Sequence, residues 1–304
     1  MQTIAVIVNS GSGTVISESI DAERLRQLFR EAGAEAEVHL VPGDRIAETA
    51  KQALAGKPEA VVAGGGDGTI RAVAGLVVGK GIPFGVLPLG TLNHFARDLG
   101  VPVDLPGAVR VIVEGFTRDL DAAEVNGEVF VNNSMLGLYP PVVRVRDWQR
   151  RTRKHGKWRA TISALLKVLP SYPMLHLQLR SDEMDVHRET RLLFVGNNEY
   201  EMSAFGFGAR ERFDSGNLYV YVARSPSRLG LVYLGLLSLF RDVKGTERFE
   251  RFCLPELTIE TRKKRALAVY LDGEVVILRP PLRYRVRPRE LRVLLPRDAD
   301  AEPQ

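Results

Sequence analysis

Ala60-Val61-Val62-Ala63-Gly64-Gly65-Gly66-Asp67-Gly68-Thr69-Ile70 decides how this chain folds. The apolar run Ala60 to Ala63 has the length of a buried strand. Three glycines, an aspartate, a fourth glycine and a threonine follow it. Behind them Ile70, Val73, Ala74, Val77 and Val78 recur at helical spacing. The segment is therefore a strand, a tight glycine loop and a helix N-terminus. Glycine lacks a Cβ, so it can take positive φ and let a ligand come close to the backbone. The first N–H groups of a helix have no intrahelical partner and lie at the positive end of its dipole. Together these make an anion site. The loop is not a Walker A sequence, because no Gly-Lys-Ser/Thr follows. Asp67 and the glycine order also break the dinucleotide fingerprint. A tight βα turn without a ligand is the other reading of the same residues.

Outward from this stretch the pattern repeats. Thr3 to Val8 is an apolar strand ending in Asn9-Ser10-Gly11-Ser12-Gly13-Thr14. A helix is expected near Asp21 to Ala32, a strand from Glu35 to Leu40, and a helix N-capped by Asp44 that carries Ile46, Ala50, Ala53 and Leu54. Pro83 to Leu87 is a fourth strand, followed by the loop and helix start Pro88 to Gly100 and a helix near Gly107 to Glu114. Strands alternating with helices mean βαβ units and a parallel sheet. Ligands bind outside the carboxyl ends of such strands. The loops at 9–14, 64–69 and 88–93 all lie at that end.

From Asp119 to Val125 the texture changes. Glu128 to Ser134 alternates like one strand. Others are expected at 174–180, 190–196, 217–223, 256–261, 266–271, 274–279 and 290–295, with helices at 157–169 and 228–240. Many short strands suggest a β-sandwich or barrel-like second domain. The division expected is 1–122, then 123–297 with a last strand able to return to the first domain, then a flexible tail at 298–304. A chain of 304 residues with 45% hydrophobic content can build both domains. The net charge of +5 suits an anionic partner: a nucleotide, a phospholipid headgroup or a nucleic acid.

Cys253 is the one cysteine, so no intramolecular disulfide forms. Its neighbours Phe252 and Leu254 lead us to expect a packed thiol. Met1 to Val8 lacks a basic leader region and is expected to be a strand, not a signal peptide. The longest apolar stretch, Leu229 to Phe240, is too short to span a bilayer. A cytoplasmic protein, soluble or peripheral at the inner membrane surface, is the expectation. Scattered histidines argue against zinc, and no nucleophile elbow is present.

Gly65-Gly66-Asp67-Gly68-Thr69, Pro88-Leu89-Gly90-Thr91-Leu92-Asn93-His94-Phe95-Ala96-Arg97, Val195-Gly196-Asn197-Asn198 with Tyr200, and Asp272-Gly273-Glu274 together resemble the diacylglycerol kinase catalytic family. That family includes bacterial lipid kinases and sphingosine kinases. The Gly-Gly-Asp-Gly loop is shared with NAD kinases and 6-phosphofructokinases; the block at 88–97 is more specific. The likeness runs from about residue 3 to 296. It implies an N-terminal α/β domain with a parallel sheet, a mainly antiparallel C-terminal β-sandwich domain and an active cleft between them. It implies ATP and Mg²⁺, and transfer of the γ-phosphate to a lipid hydroxyl, with diacylglycerol the first candidate. By motif match Gly64, Gly65, Gly66, Asp67, Gly68, Thr69 and Ile70 hold the ATP phosphates. Thr91 and Asn93 lie beside the nucleotide, and Asn9 matches the family's small-residue loop without its usual proline. Glu274 matches the family's general base.

The residue types suit phosphoryl transfer, which needs positioning, charge stabilisation and a group to take the hydroxyl proton. Asp67 either fixes the loop or meets the water shell of Mg²⁺. By itself Asp272-Gly273-Glu274 reads first as a hairpin turn carrying a solvated carboxylate, and it is the family resemblance that turns Glu274 into a base. The chain also departs from the family. A paired Asp-Asp-Gly linked to a structural Mg²⁺ reads Phe213-Asp214-Ser215-Gly216-Asn217-Leu218 here. That leaves Asp214 as the candidate ligand, or the site lost. Arg71-Ala72 replaces a common Asn-Glu, and Arg71 either meets a phosphate or lies exposed on the helix.

Arg144, Arg146, Arg150, Arg151, Arg153, Lys154, Lys157 and Arg159 crowd together near Trp148 and Trp158, ahead of the apolar face Ile162, Leu165, Leu166 and Leu169. Segment 144–159 can sit on an anionic membrane, where the lipid substrate resides, or be a solvated loop before a packed helix. No nucleic-acid motif accompanies the charge. The oligomeric state stays open, a dimer included. Two further readings are a kinase acting on NAD and a nucleotide- or lipid-binding regulator without catalysis. The Phe-Ala-Arg block opposes the first, and Asp67 with Glu274 the second.

Overall fold

The computed structural model describes residues 3–145, 173–203, 206–210, 212–224, 249–261 and 265–297. The helices expected at 157–169 and 228–240, the tail 298–304 and the basic cluster beyond Arg144 fall outside these residues. Two units divide the chain. The first comprises Met1–Ala122, Val129–Asn132 and Arg287–Gln304; the second comprises Ala123–Glu128 and Asn133–Val286.

In chain order the elements begin with β1 (Thr3–Asn9), α1 (Gly13–Ser17), α2 (Ala22–Glu31), β2 (Glu35–Val41), α3 (Ile46–Ala55), β3 (Ala60–Gly65), α4 (Asp67–Val77), β4 (Phe84–Pro88), α5 (His94–Asp98) and α6 (Leu105–Glu114). There follow β5 (Phe116–Val125), β6 (Glu128–Phe130), β7 (Asn133–Gly137), β8 (Leu175–Arg180), β9 (Asp185–Thr190), β10 (Leu192–Asn197), β11 (Tyr200–Ser203) and β12 (Gly206–Arg210). The last are β13 (Leu218–Ala223), β14 (Phe249–Leu254), β15 (Glu256–Glu260), β16 (Leu267–Leu271), β17 (Glu274–Leu278) and β18 (Leu282–Leu295).

In the first unit β2, β1, β3 and β4 lie side by side in parallel. The second half of β18 adds to β4 in parallel, with Val293 beside Phe84. The inner strands β1, β3 and β4 are apolar runs because helices cover both faces, whereas edge strand β2 keeps Glu35, Glu37 and His39. Right-handed crossovers put α2 on one face and α3 and α4 on the other; α3 packs on α4, and α2 on α6. Ile70, Val73, Ala74 and Val77 of α4 are buried, the isoleucine and the two valines contributing about 1.5–3 kcal/mol each. Asp21 accepts the Arg24 N–H at 2.7 Å to start α2, and Asp104 accepts that of Gly107 at 2.8 Å to start α6.

Asp44 does not cap α3. It lies inside a 3₁₀ turn, Gly43–Arg45, and Arg45 precedes the helix with no side-chain cap. The Arg45 N–H bonds back to Pro42 O at 2.9 Å. That tight turn moves the helix start past the reach of the Asp44 carboxylate.

The second unit holds an antiparallel sheet ordered β14-β13-β10-β7-β16-β17, together with β9, β8, β15 and the first half of β18. The Ser134 hydroxyl on β7 and the Tyr284 hydroxyl on β18 meet at 2.9 Å, both buried, joining the two sheets. Burial pushes the Tyr284 phenol well above its ordinary pKa. Phe194, Tyr200 and Tyr221 pack edge to face, with centroids at 5.2 and 5.7 Å.

The strand expected over 128–134 is two strands, β6 and β7, because the chain passes from the first unit to the second between Asn132 and Asn133. Cys253 is exposed, not packed. Successive strand residues face opposite sides, so its apolar neighbours belong to the other face, and its register partner is Tyr219. Burial pushes the Tyr219 phenol up to about 12, with help from the Cys253 thiol. Among the described residues no helix is long and apolar enough to cross a membrane.

Candidate active site

The strand order places β1 beside β3, while their crossovers run in opposite directions, to β2 and to β4. This is the topological switch point, where α/β sheets open a crevice. Asn9 ends β1, and Gly64 and Gly65 end β3. The Asn9 amide joins the two loops: Nδ2 donates to Thr69 Oγ1 at 3.2 Å, and Oδ1 accepts the Gly11 N–H at 2.9 Å. A Cβ at Gly65 would stand 2.6 Å from the Thr69 side chain, and one at Gly64 2.8 Å from Val8 Cγ2. Both glycines are therefore required by packing.

Helix α4 starts at Asp67 after an extended Gly66, and no side chain caps it. Its first-turn N–H groups and dipole thus point toward the loop. Ile70 is buried beneath that loop, and its N–H bonds to Gly66 O at 3.1 Å. Gly68 lies in the first turn.

The third loop is stapled by Asn93, which is buried and left-handed at φ 52°. Its Oδ1 accepts the Gly90 N–H at 2.9 Å; its Nδ2 donates to Pro88 O at 2.8 Å and Gly90 O at 3.1 Å. Gly90 lies against Gly66, where an added Cβ would meet Gly66 Cα at 2.3 Å. Asp67 Oδ1 accepts the Phe95 N–H at 3.3 Å, tying the glycine loop to α5. The Thr14 N–H donates to Leu89 O at 3.3 Å, bringing the first loop to the third. Thr91 is exposed at the rim. The loops at 9–14, 64–69 and 88–93 are thus one hydrogen-bonded assembly. Asn93 shapes it through its own backbone contacts. Arg71 is half-buried rather than exposed, and its Nη1 donates to Val129 O at 3.3 Å.

In the second unit Asp272 and Gly273 form the turn between β16 and β17, with φ 42° and 106°. Leu271 pairs with Glu274 across it, so this is a two-residue hairpin with both central residues at positive φ. Asp272 is 2% exposed, and its Oδ1 accepts the Asn133 N–H at 2.8 Å. Its own N–H returns to Asn133 O at 3.2 Å. The adjacent Glu274 is exposed at the first position of edge strand β17. The sequence named Glu274 but not the bond by which Asp272 ties this hairpin to Asn133, although Asp-Gly at a turn was the available signal.

Asp214, the candidate metal ligand, has a basic neighbour. Arg212 Nε lies 3.8 Å from Asp214 Oδ1. Among the described residues no three His, Cys, Asp or Glu side chains form a metal-binding group.

Residues 3–125 match the family described as the diacylglycerol kinase catalytic domain. The protein named "Probable lipid kinase YegS-like" of Pseudomonas aeruginosa PAO1 is 32% identical over 275 residues, covering 88% of this chain and 87% of that one. The "Diacylglycerol kinase" of Bacillus subtilis strain 168 is 38% identical over 137 residues, 43% of this chain and 45% of that one. A crystal structure of a diacylglycerol kinase from Bacillus anthracis Sterne has the same fold, with a TM-score of 0.68 at 18% identity over 97% of both chains. The loop assembly and the similarity over most of the chain's length agree: this chain belongs to the diacylglycerol kinase catalytic-domain family of lipid kinases.

Proposed function

We propose that this protein transfers the γ-phosphate of ATP to the hydroxyl of diacylglycerol, giving phosphatidic acid and ADP. The observation that carries this reading is the assembly of three small-residue loops at the switch point between β1 and β3, with an uncapped helix N-terminus at its centre. In it the N–H groups of the first turn, Gly66 to Thr69, hold the phosphates, Gly64, Gly65 and Ile70 shape the loop, and Asn9 and Thr91 flank the phosphates. Asn93 acts by keeping Gly90 against Gly66.

Glu274 takes the proton of the lipid hydroxyl. The oxygen so released bonds to the γ-phosphorus as the bond to the β-phosphate oxygen breaks. Mg²⁺ accompanying ATP would neutralise phosphate charge, and Asp67, half-buried at the loop mouth, fits as a carboxylate sharing its water shell. The basic segment 144–159 would hold the protein at an anionic membrane, where such a lipid is presented.

The deciding experiment offers radiolabelled ATP with vesicles carrying diacylglycerol, monoacylglycerol, a sphingoid base or a polyprenol, and with NAD in solution. Product masses are then measured. Phosphatidic acid is the expected product. Label on another lipid alone would remove diacylglycerol as the acceptor. Label on NAD alone, or nucleotide binding without turnover, would remove the lipid kinase reaction.

A further inference from the structure

The turn that resembles the family's paired Asp-Asp-Gly, with its structural Mg²⁺, reads Asp214-Ser215-Gly216 in this chain. We propose that this turn needs no metal: the buried Arg210 guanidinium and the amides of Asn198 and Asn217 hold it instead.

A cation site requires carbonyl and carboxylate oxygens that converge on empty space. Here three nearby carbonyls accept N–H donors. Asn197 O takes Arg210 Nη1 at 3.3 Å, Ser215 O takes Asn217 Nδ2 at 2.9 Å, and Asn217 O takes the Asn198 N–H at 3.3 Å. The Ser215 N–H donates to Asn198 Oδ1 at 2.8 Å, and Asn198 is fully buried in the left-handed region at φ 73°.

Charge argues the same way. Arg210 is 4% exposed. Its guanidinium carbon lies 4.7 Å from the Phe213 ring centroid and 5.6 Å from that of Tyr200. A cation between aromatic faces in a site closed to water is a fixed positive charge. Arg212 adds a second beside Asp214. A divalent ion beside Asp214 would meet this like charge. The Arg210 guanidinium ties Asn197 to Phe213, the residue that leads into the turn, and Ser215 supplies no second carboxylate for a cation.

The test uses the full chain without nucleotide, unfolded thermally in EDTA and in excess MgCl₂. The expected midpoints agree within about 1 °C, less than the roughly 2–4 °C that 1 kcal/mol of binding would give at this size. A rise with Mg²⁺ that Asp214→Asn abolishes would overturn the proposal. A rise that survives Asp214→Asn places the ion elsewhere and leaves the turn metal-independent. Ser215→Asp combined with Arg210→Gln should create a Mg²⁺-dependent rise. Should that pair fail to fold, Ser215→Asp alone and the wild-type comparison still decide.

Discussion

The glycine loop after β3 and the Asp-Gly hairpin between β16 and β17 both put an aspartate in a tight turn. Asp67 accepts the Phe95 N–H, and Asp272 accepts the Asn133 N–H. In both, the carboxylate serves the scaffold. They differ in what that scaffold presents. The loop offers backbone N–H groups at an uncapped helix end. The hairpin offers one exposed side chain, Glu274. Binding chemistry in the first therefore depends on backbone shape, which glycine spacing controls. On the proposed function, reaction chemistry in the second depends on the Glu274 carboxylate, carried on a hairpin that the buried Asp272 ties to Asn133.

The sharpest break between them is Glu274→Gln. It keeps the hairpin and the three loops and removes only the carboxylate proposed to accept the proton. Turnover should fall about 10²–10⁴-fold, the usual worth of a general base, with nucleotide affinity unchanged by calorimetric titration. Wild-type-like turnover would return Glu274 to an ordinary solvated turn residue.

Gly90→Ala strikes the other side. Its Cβ would meet Gly66 Cα at 2.3 Å, so the two loops must separate. We expect a stability loss of about 1–3 kcal/mol, read by urea unfolding, and weaker nucleotide binding. An unchanged affinity would show that the contact between the two glycines does not shape the phosphate site.

Asp272→Ala tests the support rather than the chemistry. Leaving the Asn133 N–H without its acceptor should cost about 1–3 kcal/mol. Turnover should fall while nucleotide affinity holds. Asp272→Asn, which keeps an acceptor oxygen, should recover most of both. If Asp272→Ala lowered stability alone, the hairpin would position nothing.

How legible each region was follows from what holds it. Buried parallel strands are unbroken apolar runs, so β1, β3 and β4 and their loops stood out within a residue or two. Edge strands β9 and β14 did not. Their sequences, Asp-Val-His-Arg-Glu-Thr and Phe-Glu-Arg-Phe-Cys-Leu, carry the charges that keep an edge soluble. At the site, residue identity was visible but partnership was not. Asn93 looked like a ligand for the nucleotide, yet its amide is bonded to Pro88 and Gly90. Arg71 looked like a phosphate contact or a surface residue, yet it reaches Val129. Arg210 gave no signal, because its meaning lies in the rings of Tyr200 and Phe213. Such bonds join positions distant in sequence, and periodicity cannot report them.

The smallest expected effect isolates the frame of the second unit from its hairpin. Arg188 on edge strand β9 grips Glu250 on edge strand β14 through two bonds, at 2.6 and 2.5 Å. The bond from Arg188 holds the Glu250 carboxyl below its ordinary value. A depressed carboxylate contributes stability above its unfolded pKa and loses it as pH falls through the folded one. Arg188→Met should therefore cost about 1 kcal/mol at neutral pH, as a partly exposed pair does, and the gap from wild type should close in acid. Urea unfolding of both proteins across that range measures it. A gap that persisted in acid would assign the effect to packing of the arginine stem rather than to charge. Because β14 and β17 are opposite edges of one sheet, turnover should not change. A fall in turnover would mean that the geometry of Glu274 depends on the whole sheet and not on the Asp272 turn alone.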